Sequence, residues 1–190
     1  MKLQDKLPEG VTVDGRFYKM DFDFRNVLRM IEELEEKNIF PEARAYNALK
    51  CVCKRPRNVL RVAEAVKDLL FTTDRRKGQK ITDFVQDAGL IRAAFKQAYG
   101  MDLYRDHVHW LEFMELLSAI PNDTRYSEVV SIRAREIPAP TNFNQKEREW
   151  LIRAKADVAL RTTEDEQETQ YKQDVANVGA FLMSLADGGE

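Results

Sequence analysis

The stretch DFVQDAGLIRAAFKQAYGMDLYRDHVHWLEFMELLSAI, residues 83–120, decides the fold class. Asp83 can cap a helix on which Ala88, Ile91, Ala94, Phe95 and Ala98 share one side, and Gly100 is placed to end it in the left-handed conformation. After the short MDLYRD connection, Trp110, Phe113, Met114 and Leu117 repeat the helical spacing, with Trp110 as the core anchor of that face. Pro121 then turns the chain, and Thr124 caps a further helix carrying Tyr126, Val129, Val130 and Arg133. Amphipathic helices in unbroken succession predict a mostly α protein.

Upstream, one element breaks that pattern. In VTVDGRFYKM the Asp14-Gly15 pair lies between β-favouring runs and suits a tight turn, so a small hairpin is expected over residues 11–20. Asp21 or Asp23 can cap a helix presenting Val27, Leu28, Ile31 and Leu34, which Asn38 ends. Pro41 suits a first helical position, and Ala45, Leu49 and Val52 form the face of a second helix running to Lys54. Beyond Pro56, Leu60, Ala63, Val66 and Leu70 mark a well-buried third helix, widened by Val59, Val62 and Leu69. The loop TTDRRKGQK, residues 72–80, is polar, basic and hinged at Gly78.

Downstream, Pro138 and Pro140 force an extended segment that marks the end of the compact unit. The expected organisation is a helical domain with an N-terminal hairpin over residues 1–140 and a charged helical tail over residues 141–190. Trp150, Leu151, Ala154 and Val158 form the tail's first apolar face, and TTEDEQETQ interrupts it. Tyr171, Val175, Val178, Leu182 and Leu185 then recur at intervals of four and three, the spacing of a short coiled-coil seam. That seam either docks on the protein's own core or binds a partner. Its separation from the body favours the partner.

Composition narrows the function. Charged residues make up 33% of the 190, but the formal net charge is only −2, which argues against the broad positive field of a nucleic-acid binder. The basic clusters Lys54-Arg55-Pro56-Arg57 and Arg75 to Lys80 lack interleaved aromatics for base stacking. With only 8 glycines and 6 prolines, the chain favours helix over sheet. No apolar run is long enough for a membrane span or a signal region. Cys51 and Cys53, one residue apart, read as reduced cytosolic thiols without a zinc-completing pair.

Chemistry-bearing motifs are not found. His107 and His109 are the only histidines, and at i and i+2 on a helix they would point about 200° apart, whereas metal ligation usually uses i and i+3 or i+4. One imidazole is expected beside Trp110 with its N–H satisfied, the other in solvent. The carboxylates are scattered and read as solvated helix faces. Phosphate loops of the GxGxxG and GxxxxGK[ST] types are missing. The reading is therefore of a protein with no catalytic, cofactor or metal residues that works by binding other proteins.

The central residues also carry a resemblance. DxxLIxAAFxQxYGxDL beginning at Asp87, the His109-Trp110 pair, LLxxIPxDT from Leu116 and IRxxxIP from Ile132, together with LPEGVTVDGRFYKMDFDFRNVL at residues 7–28, resemble the bacteriophage gene-product-fifteen family. That family belongs to siphophage tail gene clusters. The resemblance implies a tail assembly chaperone in the host cytoplasm, absent from the mature virion, with the tape measure protein and the tail tube protein as partners and self-association possible. It brings no catalytic residues with it. A nucleic-acid adaptor and a structural virion component are the alternatives.

Overall fold

The computed structural model describes residues 4–36, 38–71, 80–141 and 143–161. Among these the chain forms a two-stranded hairpin and seven helices. The basic loop 72–79 and the seam from Tyr171 to Leu185 lie outside the described residues. The described residues form two compact units, the first within Met1–Gln79 and Gly89–Glu128, the second within Lys80–Ala88 and Val129–Glu190.

The first unit begins with the hairpin. Strands β1 (Gly10–Val13) and β2 (Arg16–Lys19) pair antiparallel with Val13 opposite Arg16, so Asp14 and Gly15 alone make the turn. Both have positive φ, 52° and 74°, as a primed two-residue turn requires. Helix α1 (Phe24–Glu35) is capped by Asp23, whose carboxylate accepts the Arg25 amide. It buries Phe24, Val27 and Met30, while Leu28 and Ile31 are half-buried and Leu34 is exposed. The buried stripe is thus rotated from the expected one toward Phe24.

Pro41 does open α2 (Pro41–Val52), which buries Ala48, Leu49 and Val52. Helix α3 (Val59–Phe71) buries Val62, Val66 and Leu70, but Leu60 stands 61% exposed. Helix α4 (Ala88–Tyr99) buries Ile91, Ala94 and Phe95 and ends at Gly100, whose φ is 69° and whose N–H donates to the Lys96 carbonyl. In α5 (Trp110–Ser118) only Trp110 and Phe113 are buried, and Met114 faces outward.

An isolated antiparallel bridge joins the starts of α1 and α5. The Trp110 N–H donates to the Phe22 carbonyl at 2.7 Å and the Phe24 N–H to the Val108 carbonyl at 2.9 Å, with Asp23 opposite His109. Each of those two residues caps its own helix. The bridge sets Phe113 stacked on Phe24, Phe95 and Trp110 with ring centroids 4.7, 5.2 and 5.9 Å apart. This aromatic cluster is the centre of the first unit.

Asp23 is 3% exposed and chelated by the Arg25 guanidinium at 2.7 and 2.8 Å. Burial pushes its carboxyl up, but the hydrogen bonds and charge of Arg25 outweigh that and hold it below its ordinary value of 3.8. A carboxyl depressed in the folded state stabilises fully above its unfolded value and loses that contribution as pH falls through the folded one. Asp23→Ala is expected to cost about 1–2 kcal/mol at pH 7 through the lost cap. Urea titrations of both proteins at falling pH should show the difference shrinking below pH 3.8; a pH-independent difference would rule out this origin.

In the second unit, α6 (Arg125–Ala134), which starts in the first, contributes Val129, Ile132 and Arg133 to the buried side. Helix α7 (Gln145–Asp157) buries only Leu151 and leaves Trp150 53% exposed. What joins these pieces is polar. The Arg133 guanidinium holds the Asp87 carboxylate in a fork at 2.7 and 3.0 Å, and donates to the Ile81 and Val158 carbonyls at 3.1 and 2.6 Å. Lys155 Nζ donates to the Arg133 and Arg135 carbonyls, both at 2.6 Å, satisfying acceptors that the end of α6 leaves open. Gln86 accepts from the Arg161 amide and donates to the Ala159 carbonyl. Asp87, read as one of the solvated carboxylates of helix faces, instead lies inside the fold at 1% exposure, and Asp23, expected as a cap, is buried as well at 3%.

Candidate partner-binding groove

Helices α1, α2 and α3 follow one another along the chain and share the buried residues Met30, Ala48, Leu49 and Val66. Where they come together, three alanines, Ala45, Ala48 and Ala63, offer no atoms beyond Cβ. The space they leave is a groove of about 610 Å³. Ile31, Leu34, Leu60 and Phe71 complete its apolar lining, and Glu35, Glu64 and Lys67 are its ionisable residues. Leu34 and Leu60, at 43% and 61% exposure, are its most accessible leucines. An apolar trough between helices with scattered rim charge suits the apolar face of a partner helix, read as side chains at i, i+3, i+4 and i+7.

Sequence periodicity assigned Leu34 and Leu60 to buried faces. The structure turns both outward, because Met30 and Val62, not they, meet the core. The small alanines opposite two leucines were the available signal, but the alanines mark a groove only once the three helices are known to meet.

His107 and His109 stand just ahead of α5. Neither lies inside a helix, so the angular argument from helical spacing does not apply. His109 caps α5: its Nδ1 accepts the Leu111 amide at 3.1 Å, and its Nε2 lies 3.1 Å from the Pro8 carbonyl. Accepting at Nδ1 requires the ring neutral with the proton on Nε2, which then donates to Pro8. Its ring meets Phe22 edge-on at 5.6 Å. His107 is largely exposed, 3.2 Å from the Asp21 carboxylate and 3.5 Å from that of Asp23.

Cys51 is half-buried with Sγ 3.6 Å from the Asn47 carbonyl, and burial, reinforced by Glu33, pushes its thiol up, away from the nucleophilic thiolate. Among the described residues, no group of three or more His, Cys, Asp or Glu side chains is placed to hold a metal ion. No helix among them is long and apolar enough to cross a membrane.

Trp110 is where the sequence placed it, 2% exposed at the aromatic centre. The basic residues Lys54, Arg55 and Arg57 are exposed between α2 and α3, whereas nearby Arg61 is paired with Asp14. The five seam residues Tyr171, Val175, Val178, Leu182 and Leu185 lie outside the described residues.

A family model described as Bacteriophage Gp15 protein matches residues 3–160. The match includes α2 and α3. No curated protein matches the chain, and no solved structure does.

Proposed function

The chain belongs to the bacteriophage Gp15 protein family, and from that premise we propose that it is a non-enzymatic tail assembly chaperone that binds the tape measure protein, the tail tube protein or both. The observation that supports this reading is the α1–α2–α3 groove with its exposed leucines. A helical client would insert apolar side chains into it, each contributing roughly 1.5–3 kcal/mol on burial. Association and ordering cost about 4–15 kcal/mol, so three or four such side chains about offset that cost and make a weak, readily reversed contact. Reversible cover of this kind is what a client awaiting polymerisation needs. The protein then acts in the host cytoplasm and leaves before the particle is complete.

Co-expression with the tape measure protein and pull-down of the complex tests this. Leu60→Glu places a charge at the most exposed leucine of the groove, where the fold tolerates it, and is expected to reduce capture about tenfold or more while helical circular dichroism and melting temperature stay at wild-type values. Capture unchanged by the substitution rejects the groove as the client site.

A further inference from the structure

Every copy of the chain carries both halves of a contact. One half is the groove. The other is the stripe Tyr171, Val175, Val178, Leu182 and Leu185, whose spacing places all five along one face of a helix. Such a face is too narrow to support an isolated helix in water and needs a surface to cover it.

The groove matches most of the stripe in length. Along α3 the groove lining runs from Leu60 to Phe71, eleven residues on, which is about 16 Å of helix. From Tyr171 to Leu185 the stripe advances fourteen residues, about 21 Å, of which the eleven to Leu182, carrying four of its five apolar residues, span the groove. They agree in charge as well. The exposed cations Lys54, Arg55 and Arg57 lie just ahead of Leu60, and the acidic run Glu164, Asp165, Glu166 and Glu168 lies just ahead of Tyr171. Laid parallel to α3, the stripe would fill the groove while its acidic run met the basic cluster. Complementary charge of this sort sets direction more than affinity.

We propose that, before a client is bound, the groove of one copy holds residues 171–185 of a second copy, oriented parallel to α3, and that a client must displace them. Because each copy has one groove and one stripe, reciprocal exchange closes a symmetric dimer and leaves neither surface open. The groove is then protected until a client competes for it, and the effective client affinity falls with the concentration of the dimer. The statement about clients rests on the function proposed above; the exchange itself does not.

The experiment uses the full-length protein with single substitutions in each half, followed by sedimentation velocity over a range of concentrations. Leu60→Glu in the groove and Leu182→Glu in the stripe should each weaken dimerisation about tenfold or more. Mixed in equal amounts, the two variants should recover a dimer, since one supplies an intact stripe and the other an intact groove. Leu34→Glu is a second groove variant in case Leu60→Glu disturbs folding. A stripe that paired with a second stripe would leave Leu60→Glu and Leu34→Glu as dimeric as wild type, and that result overturns the proposal. A wild-type protein monomeric at every concentration, as docking within one copy requires, also overturns it.

Client pull-down on the same proteins separates the two ideas. With the exchange in place, Leu182→Glu should capture the tape measure protein at least as well as wild type. Loss of dimerisation in Leu60→Glu with capture unchanged supports the exchange and rejects the client site.

Discussion

Arg133→Ala is expected to destabilise the second unit by about 3 to 5 kcal/mol, the cost of stranding one member of a buried ion pair. Arg133 and Asp87 are 7% and 1% exposed, so neither charge has bulk water to fall back on. Removing the guanidinium takes away both bonds to the Asp87 carboxylate and two to main-chain carbonyls, and leaves Asp87 with the Asp83 amide at 2.9 Å. The intact pair is worth far less than that loss, because burying both charges costs nearly what their attraction returns. A double variant, Arg133→Met with Asp87→Leu, should accordingly be closer to wild type than either single change. The chain's two tryptophans make this measurable. Trp110 lies in the first unit and Trp150 in the second, so urea unfolding followed by fluorescence in a Trp110→Phe background reports on the second unit through Trp150. A loss under about 1 kcal/mol for Arg133→Ala would place the pair among weak surface bridges.

Trp110→Ala should have a comparable effect on the first unit, about 3 to 5 kcal/mol, for an apolar reason. The indole is 2% exposed, stacks 5.9 Å from Phe113 and meets Phe71 edge-on at 6.0 Å. Its removal leaves a cavity that rigid rings around it cannot fill. Trp110→Phe keeps much of the volume and should cost less. Phe71 also lines the groove, so the same cavity releases one of its walls. Thermal melts should fall and client capture should weaken together in Trp110→Ala, whereas Leu60→Glu should weaken capture without lowering the melt. An unchanged melting temperature would show that Trp110 is not the anchor its burial implies.

These sites differ in how far they could be read from residues alone. The hairpin turn at Asp14-Gly15, the cap at Asp23, the helix opening at Pro41, the stop at Gly100 and the cap at Thr124 were all legible, and the structure has each of them. So was the buried Trp110. Periodicity was less reliable on the exact face: Leu34, Leu60 and Met114 satisfied a helical stripe, yet the structure leaves them exposed, while it buries Met30, which the stripe omitted, beside the expected Val62 and Phe113. A stripe wider than the contact it serves leaves a choice that neighbouring helices make. The role of His109 as a cap was hidden for a related reason, because HVHW reads as helix interior until its start is located at Trp110.

The sequence by itself determined the kind and order of the elements, since turns, caps and helix stops act between residues a few positions apart and each carries its own chemical signature. Only the tertiary structure decided the rest. Arg133 meets Asp87 from 46 residues away, and neither residue's neighbours distinguish a buried charge from a solvated one. The groove likewise exists because Ala45, Ala48 and Ala63 from two helices face a common space beside α1. Small side chains are unremarkable within any one helix. Whether they become tight packing or an open site depends on which helices meet, and that is a property of contacts between distant segments.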